Sequence, residues 1–268
     1  MQTLLSYLFP WRYAGLIRQF VMREFQARYR QSVLGVLWAF LTPLLMLGVY
    51  TLVFRFVFRL RWGGADTDSN LSFALQMYAG LAVFNFFAEC VNRAPRLVLD
   101  QPHLVKKVIF PLEILAWVNA LAALVHLAVA LLLLLLFGAW DRGALPLSVL
   151  ALPLVWLALL PLCVGLGWLL AAIGTYVRDV SQVLGLLVSL MMFLSPIFFP
   201  LEALPAAVRP WMFLNPLALT ISQTRRVLLD GQWPDWPTLA IHLIACCAIA
   251  MLGAAFFRLA RKGFADVV

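Results

Sequence analysis

Uncharged apolar stretches recur along this chain at 31–54, 71–88, 114–140, 143–177, 180–201 and 236–257, with polar connectors between them. A helix needs about 20 such residues to cross a hydrocarbon core about 30 Å thick, and it satisfies its own backbone hydrogen bonds where water is absent. The pattern therefore predicts an all-α integral membrane protein with six transmembrane helices, at about 31–54, 71–92, 110–137, 150–176, 180–200 and 236–257. The fourth stretch is longer than one crossing requires. Pro146 and Pro153 near its start predict an external lead-in segment before the helix. The apolar stretch 211–224 is short, holds Asn215-Pro216 and lies between Arg209 and Arg225, so about 200–230 reads as a re-entrant external segment.

Residues 1–30 form a separate unit ahead of the transmembrane domain, 31–268. At helical spacing Arg12, Gln19, Arg23, Gln26 and Arg30 make one polar stripe, while Leu16, Ile17, Phe20, Val21 and Phe25 face away. This predicts an amphipathic helix on the anionic inner leaflet, in contact with membrane lipids. The first residues lack a basic stretch and a small-residue cleavage site, so no removable leader is expected.

Charge sets the orientation. One set of connectors holds Arg12, Arg18, Arg23, Arg28, Arg30, Arg93, Arg96, Lys106, Lys107, Arg178, Arg258, Arg261 and Lys262, the majority of the 20 Lys and Arg. The other set mixes Arg55, Arg59, Arg61, Arg142, Arg209, Arg225 and Arg226 with acidic residues. Basic residues collect on the cytoplasmic side, so both termini are expected there, in a bacterial inner membrane. This asymmetry accounts for the net charge of +8 better than a nucleic-acid partner does. With 64% hydrophobic and 12% charged residues, and a mean hydropathy of +0.95, a soluble fold would leave apolar surface uncovered.

Catalytic chemistry is sparse. A P-loop ends in Gly-Lys-Ser/Thr, and none of Lys106, Lys107 and Lys262 has those neighbours, so nucleotide hydrolysis of that class is excluded. Glu89 and Glu113 lie near helix ends where solvent is expected to reach them, and His126 and His242 read as isolated, neutral packing residues. Cys90, Cys163, Cys246 and Cys247 lack zinc or disulfide spacing and read as small packing residues; no metal site emerges.

Four blocks carry a more specific signal: YRQSVLGVLWAFLTPLL at 29–45, HLVKKVIFPLEIL at 103–115, RDVSQVLGLLVSLMMFLSPIFFP at 178–200 and NPLALTISQTRRVLLDGQWPDW at 215–236. In this order they resemble permease subunits of type-2 ABC transporters that export polysaccharide. The resemblance is closest to O-antigen exporters, with His103 where that block often carries Asn. It implies a homodimer bound to two copies of a separate P-loop ATPase. ATP and Mg would sit on that partner, and no cofactor on this chain. The implied cargo is a lipid-linked polysaccharide moving from cytoplasm to periplasm.

By the same resemblance, the N-terminal helix and the cytoplasmic connectors are expected to contact the ATPase through Arg23, Arg30, Arg93, Arg96, Asp100, His103, Lys106, Lys107, Arg178 and Asp179. Pro102 is placed to start a short transverse helix. A sugar chain offers hydroxyls and apolar ring faces, which suits a conduit lined by aromatics that do not hold it too tightly to slide. Tyr50, Phe54 and Phe58 repeat every four residues on the first span, and Phe193, Phe198 and Phe199 cluster on the fifth. Pro196, Pro200, Glu202 and Pro205 are the candidate external gate. A capsule or teichoic-acid exporter of the same class, a membrane-embedded transferase and a passive channel are the competing readings.

Overall fold

A computed structural model describes residues 7–29, 33–57, 70–105 and 110–267, and among them the fold is helical with no strand. Helix α1 (Ala14–Tyr29) precedes α2 (Trp38–Thr51), α3 (Asn70–Arg93), α4 (Ile114–Arg142), α5 (Leu152–Leu157), α6 (Leu160–Tyr176), α7 (Val180–Leu194), α8 (Pro216–Leu228) and α9 (Trp236–Ala260). Four helical stretches are long and apolar enough to cross a bilayer: Asn70–Arg96, Ile114–Arg142, Leu147–Tyr176 and Trp236–Gly263. Gly35–Thr51 and Val180–Leu194 are apolar but shorter.

Proline and polar caps set the helix ends. Pro43 lies inside α2, which gives way to a π-helical turn over Leu52–Val57. Helix α7 stops at Leu194, short of the expected end near 200, because Ser195 turns extended ahead of Pro196. The expected lead-in segment of the fourth stretch is itself helical from Leu147, and the break comes instead between α5 and α6, ahead of Pro161. Gly143, at φ +73°, closes α4 in the left-handed region, with its N–H bonded to the Ala139 carbonyl 2.9 Å away. Asn215 Oδ1 accepts from Leu217 N at 3.0 Å to cap α8. Asp235 caps α9 through Thr238.

Helix α3 is the centre of the bundle. Nearly every residue from Ser72 to Val91 is buried, and α2, α4, α6, α7 and α8 pack around it. Helices α6 and α9 form the most extensive pair. A Cβ on Gly253 would fall on the Gly165 carbonyl, and one on Gly165 would lie 2.5 Å from Ala250 Cα. Small residues there let the two backbones meet, the usual means of tight helix association in lipid. The outer faces of α7 (Leu186, Leu190, Phe193) and α9 (Ile241, Ile244, Leu252) are exposed and apolar, as a bilayer requires.

Tyr7 and the end of α9 meet the bundle at the same end. Tyr7 packs edge-on against Trp168, Trp117 Nε1 donates to the Tyr7 carbonyl at 2.8 Å, and Tyr176 Oη donates to the Ala260 carbonyl at 2.7 Å. At the other end, Ser148 Oγ donates to the Val227 carbonyl at 2.7 Å and Arg142 donates to the Leu229 carbonyl.

Candidate functional site

Three arrangements built on these helices can bear on function. The first is where α1 meets the connector after α3. Helix α1 lies on α4 through Ile17, Ile114 and Val118, so its polar residues reach the end of α3. Arg93 pairs there with Glu24. Arg23, whose guanidinium sits 4.6 Å over the Phe20 ring, lines with Glu24, Arg93, Asp100 and Gln101 a cavity of about 170 Å³. The connector itself makes a turn at Ala94–Arg96, and a short helix begins at Pro102. A Cβ on Gly174 of α6 would lie 2.5 Å from the Pro95 carbonyl oxygen, which pins the connector to the bundle. Arg96 and Arg178 share a small cleft with Ser181. Asp179 stands at the N-cap of α7 without a side-chain cap bond, and His103 is exposed. The structure thus places Arg23, Arg93, Asp100, Arg96 and Arg178 at one end of the bundle. Arg30, Lys106 and Lys107 lie outside the described residues.

Next to this region is a buried ionic network that the sequence did not reveal. Glu113, expected to be open to solvent, is only 2% exposed. Arg261 Nη1 donates to its Oε2 at 2.8 Å and Nη2 to the Phe110 carbonyl at 3.1 Å, which ties the C-terminal turn to the start of α4. Burial, with the Glu113 carboxylate nearby, pushes the Tyr7 phenol above its usual range, while Arg261 pulls it down.

The second arrangement is a cavity of about 530 Å³ between α2, α3 and α4. Trp38, Thr42, Met46 and Tyr50 line it from α2, Tyr78, Asn85 and Glu89 from α3, and His126 from α4. His126, expected to stand alone, has Nδ1 3.0 Å from Glu89 Oε2 and 3.1 Å from Oε1, and Phe25 of α1 lies 6.2 Å from its ring. His242 does match the expected packing role: it is buried, with Thr220 Oγ1 3.3 Å away and Cys246 beside it. All four cysteines are free, and no group of three or more His, Cys, Asp or Glu able to hold a metal occurs among the described residues.

The third lies beyond the end of α7. Phe198 is buried, with its ring 5.8 Å from Tyr50 and 6.0 Å from Phe193; Phe193 is exposed and Phe199 partly buried. Pro196 is buried and Pro205 exposed, with Pro200 between these extremes. Arg225, which read as a boundary charge, reaches inward from α8. Its Nε donates to the Gln76 carbonyl at 3.0 Å, Nη1 to that of Pro196 at 2.6 Å and Nη2 to that of Ile197 at 2.9 Å. The adjacent pair Arg225-Arg226 within a short amphipathic helix was the available signal. Phe58 and the side chains of Phe54 and Glu202 lie outside the described residues.

These features sit on a chain whose residues 15–229 match the sequence profile of the ABC-2 type transporters. The chain belongs to that family. Among relatives of this ABC-2 protein, the O-antigen export system permease protein RfbA of Myxococcus xanthus is 30% identical, with 96% of this chain and 97% of that protein aligned. RfbA of Klebsiella pneumoniae is 23% identical across 100% of this chain and 98% of its own length. The polysialic acid transport protein KpsM of Escherichia coli is 25% identical over 88% of this chain and 90% of that protein. The ABC-2 match, with the apolar helices, makes this chain a multi-pass membrane transporter subunit.

Proposed function

We propose that this chain is the permease subunit of an ATP-driven exporter that moves lipid-linked, O-antigen-like polysaccharide from cytoplasm to periplasm across a bacterial inner membrane. The end-to-end similarity to the Myxococcus O-antigen export permease carries this reading. In it, the four long helical stretches and the segments of about 31–54 and 180–200 make six crossings, both termini are cytoplasmic, and about 200–230 dips back into the membrane from outside.

Two copies of the chain form the conduit, and two copies of a separate P-loop ATPase bind ATP and Mg. The absence of a Walker lysine motif from the full sequence supports assigning hydrolysis to that partner. Helix α1 and the connector 94–107 receive its motion: the Arg93–Glu24 pair and the seat of Pro95 on α6 would carry displacement into the spans.

Deleting the gene should abolish surface polysaccharide while lipid-linked polymer accumulates inside, and a tagged chain should co-purify with an ATPase subunit. Reversing charge at Lys106 and Lys107 should leave insertion intact but uncouple hydrolysis from export. Normal surface polysaccharide in the deletion strain would refute the export reading, and normal export by the charge-reversed protein would refute the coupling role.

A further inference from the structure

The cavity between α2, α3 and α4 is long rather than round. Its α3 wall is Tyr78, Ala82, Asn85 and Glu89, spaced at i, i+4, i+7 and i+11, so these residues form one face about 16 Å long at 1.5 Å per residue. Its α2 wall is Trp38, Thr42, Met46 and Tyr50, one residue in every four. The groove therefore runs along the bundle. At one end, Glu89 also lines a polar cleft of about 640 Å³ with Asn92, Arg93, Arg96, Ser181 and Gln182. At the other, Tyr50 meets Phe198, next to the segment that Arg225 holds.

The lining is mixed in a particular way. Trp38 and Tyr50 offer ring faces, Asn85 an amide, and Glu89 and His126 a facing carboxylate and imidazole. Tyr78 is only 3% exposed, and its hydroxyl has no hydrogen-bond partner among the described residues. A buried hydroxyl left without a partner is unfavourable, and ionisable groups inside a membrane bundle mark substrate paths more often than packing. An acyl chain would fill the volume but pair with none of these groups. A sugar chain has both requirements, apolar ring faces for the aromatics and hydroxyls that donate and accept. The volume also lies within the roughly 300–1,000 Å³ usual for ligand sites.

We propose that this groove is a saccharide-binding subsite within each subunit, in which a short stretch of polymer stacks on Trp38 and Tyr50 and hydrogen-bonds to Tyr78, Asn85 and the Glu89–His126 pair. The proposal rests on the polysaccharide-export reading and goes further by placing the sugar in the groove between α2, α3 and α4, which meets the aromatic cluster beyond α7 only at its Tyr50 end.

Photo-crosslinking in polysaccharide-producing cells tests it. Benzophenone-bearing phenylalanine is introduced at Met46 in the groove, at Phe193 on α7, or at Met251 on the outer face of α9. Each cross-linked chain is then purified, delipidated and hydrolysed, and its covalently attached neutral sugars and fatty acids are measured. Sugar recovery at Met46 should exceed that at Met251 by at least about tenfold. Tyr78→Phe removes only a hydroxyl without a partner, so the protein should accumulate normally; combined with Glu89→Gln it should lower sugar recovery at Met46 by roughly fivefold or more. Fatty acids alone at Met46, or sugar recovery unchanged by the double variant, would overturn the subsite. Sugar at Phe193 but not at Met46 would overturn the subsite and leave export standing. Sugar at no position, with surface polysaccharide intact after gene deletion, would overturn both.

Discussion

Arg261 donates to the Glu113 carboxylate at 2.8 Å across 148 residues of chain, and the acceptor side chain is 3% exposed while the donor's is 28%. Removing one partner of a buried ion pair strands the other, at a cost of about 3–5 kcal/mol. The half-open arginine places this pair at the low end. Arg261→Ala should cost about 3 kcal/mol, whereas Glu113→Gln, which keeps an acceptor for the arginine, should cost only about 1 kcal/mol. Unfolding of the detergent-purified protein measures both, and equal losses would show that the carboxylate is not effectively buried.

Arg225 satisfies three backbone carbonyls from two separate segments. A lysine keeps the charge but lacks the fork that reaches all three at once. Arg225→Lys should expose the 196–205 segment to added protease and lower stability by about 2 kcal/mol, and Arg225→Gln should do so further. Protease resistance equal to the parent protein in both variants would remove Arg225 as the tie.

The crossing of α6 and α9 leaves no room for a methyl group. Gly253→Ala should force the helices apart at a cost of about 1–3 kcal/mol, which is read as lost folded yield and a lower midpoint of unfolding. Gly48→Ala is the control, because a Cβ there meets nothing within 4 Å. Similar behaviour of the two variants would contradict the close approach.

Asp235 is held below the usual carboxylate range by hydrogen bonds from the Thr238 hydroxyl, at 2.7 Å, and from the Thr238 amide. Its depressed value means the cap contributes fully above the unfolded carboxylate pKa, about 4, and is lost as pH falls through the folded value. Stability should therefore decline below about pH 4 in the parent protein. Asp235→Asn keeps a capping side chain and should flatten that part of the profile. Thermal midpoints measured down through this range decide it, and parallel curves for the two proteins would remove Asp235 as the source.

The long apolar runs made the crossings legible, because length and lack of charge suffice to mark α3, α4, the 147–176 stretch and α9. Their ranks within the bundle were not legible. Helices α3 and α9 both read as single crossings, yet α3 is enclosed on nearly all sides while most of α9 faces outward. Pairing was hidden for a different reason. Glu89 and His126 lie 37 residues apart on antiparallel helices, and no periodicity links positions on separate elements. Expecting Glu113 to reach solvent failed because Phe110 and the C-terminal turn fold over it. The break at Ser195-Pro196 follows from local proline chemistry, but its service as the acceptor for Arg225 depends on where α8 returns.

Helix α7 has only Leu184 and Val188 buried, while α6 and α9 interlock through their glycines. In hydrocarbon, a leucine swapped from a neighbouring helix to a lipid tail loses little. The bundle is thus a fixed mast with one weakly moored spar: trading the contacts of α7 for lipid would cost little, whereas parting α6 from α9 would undo a backbone-to-backbone fit.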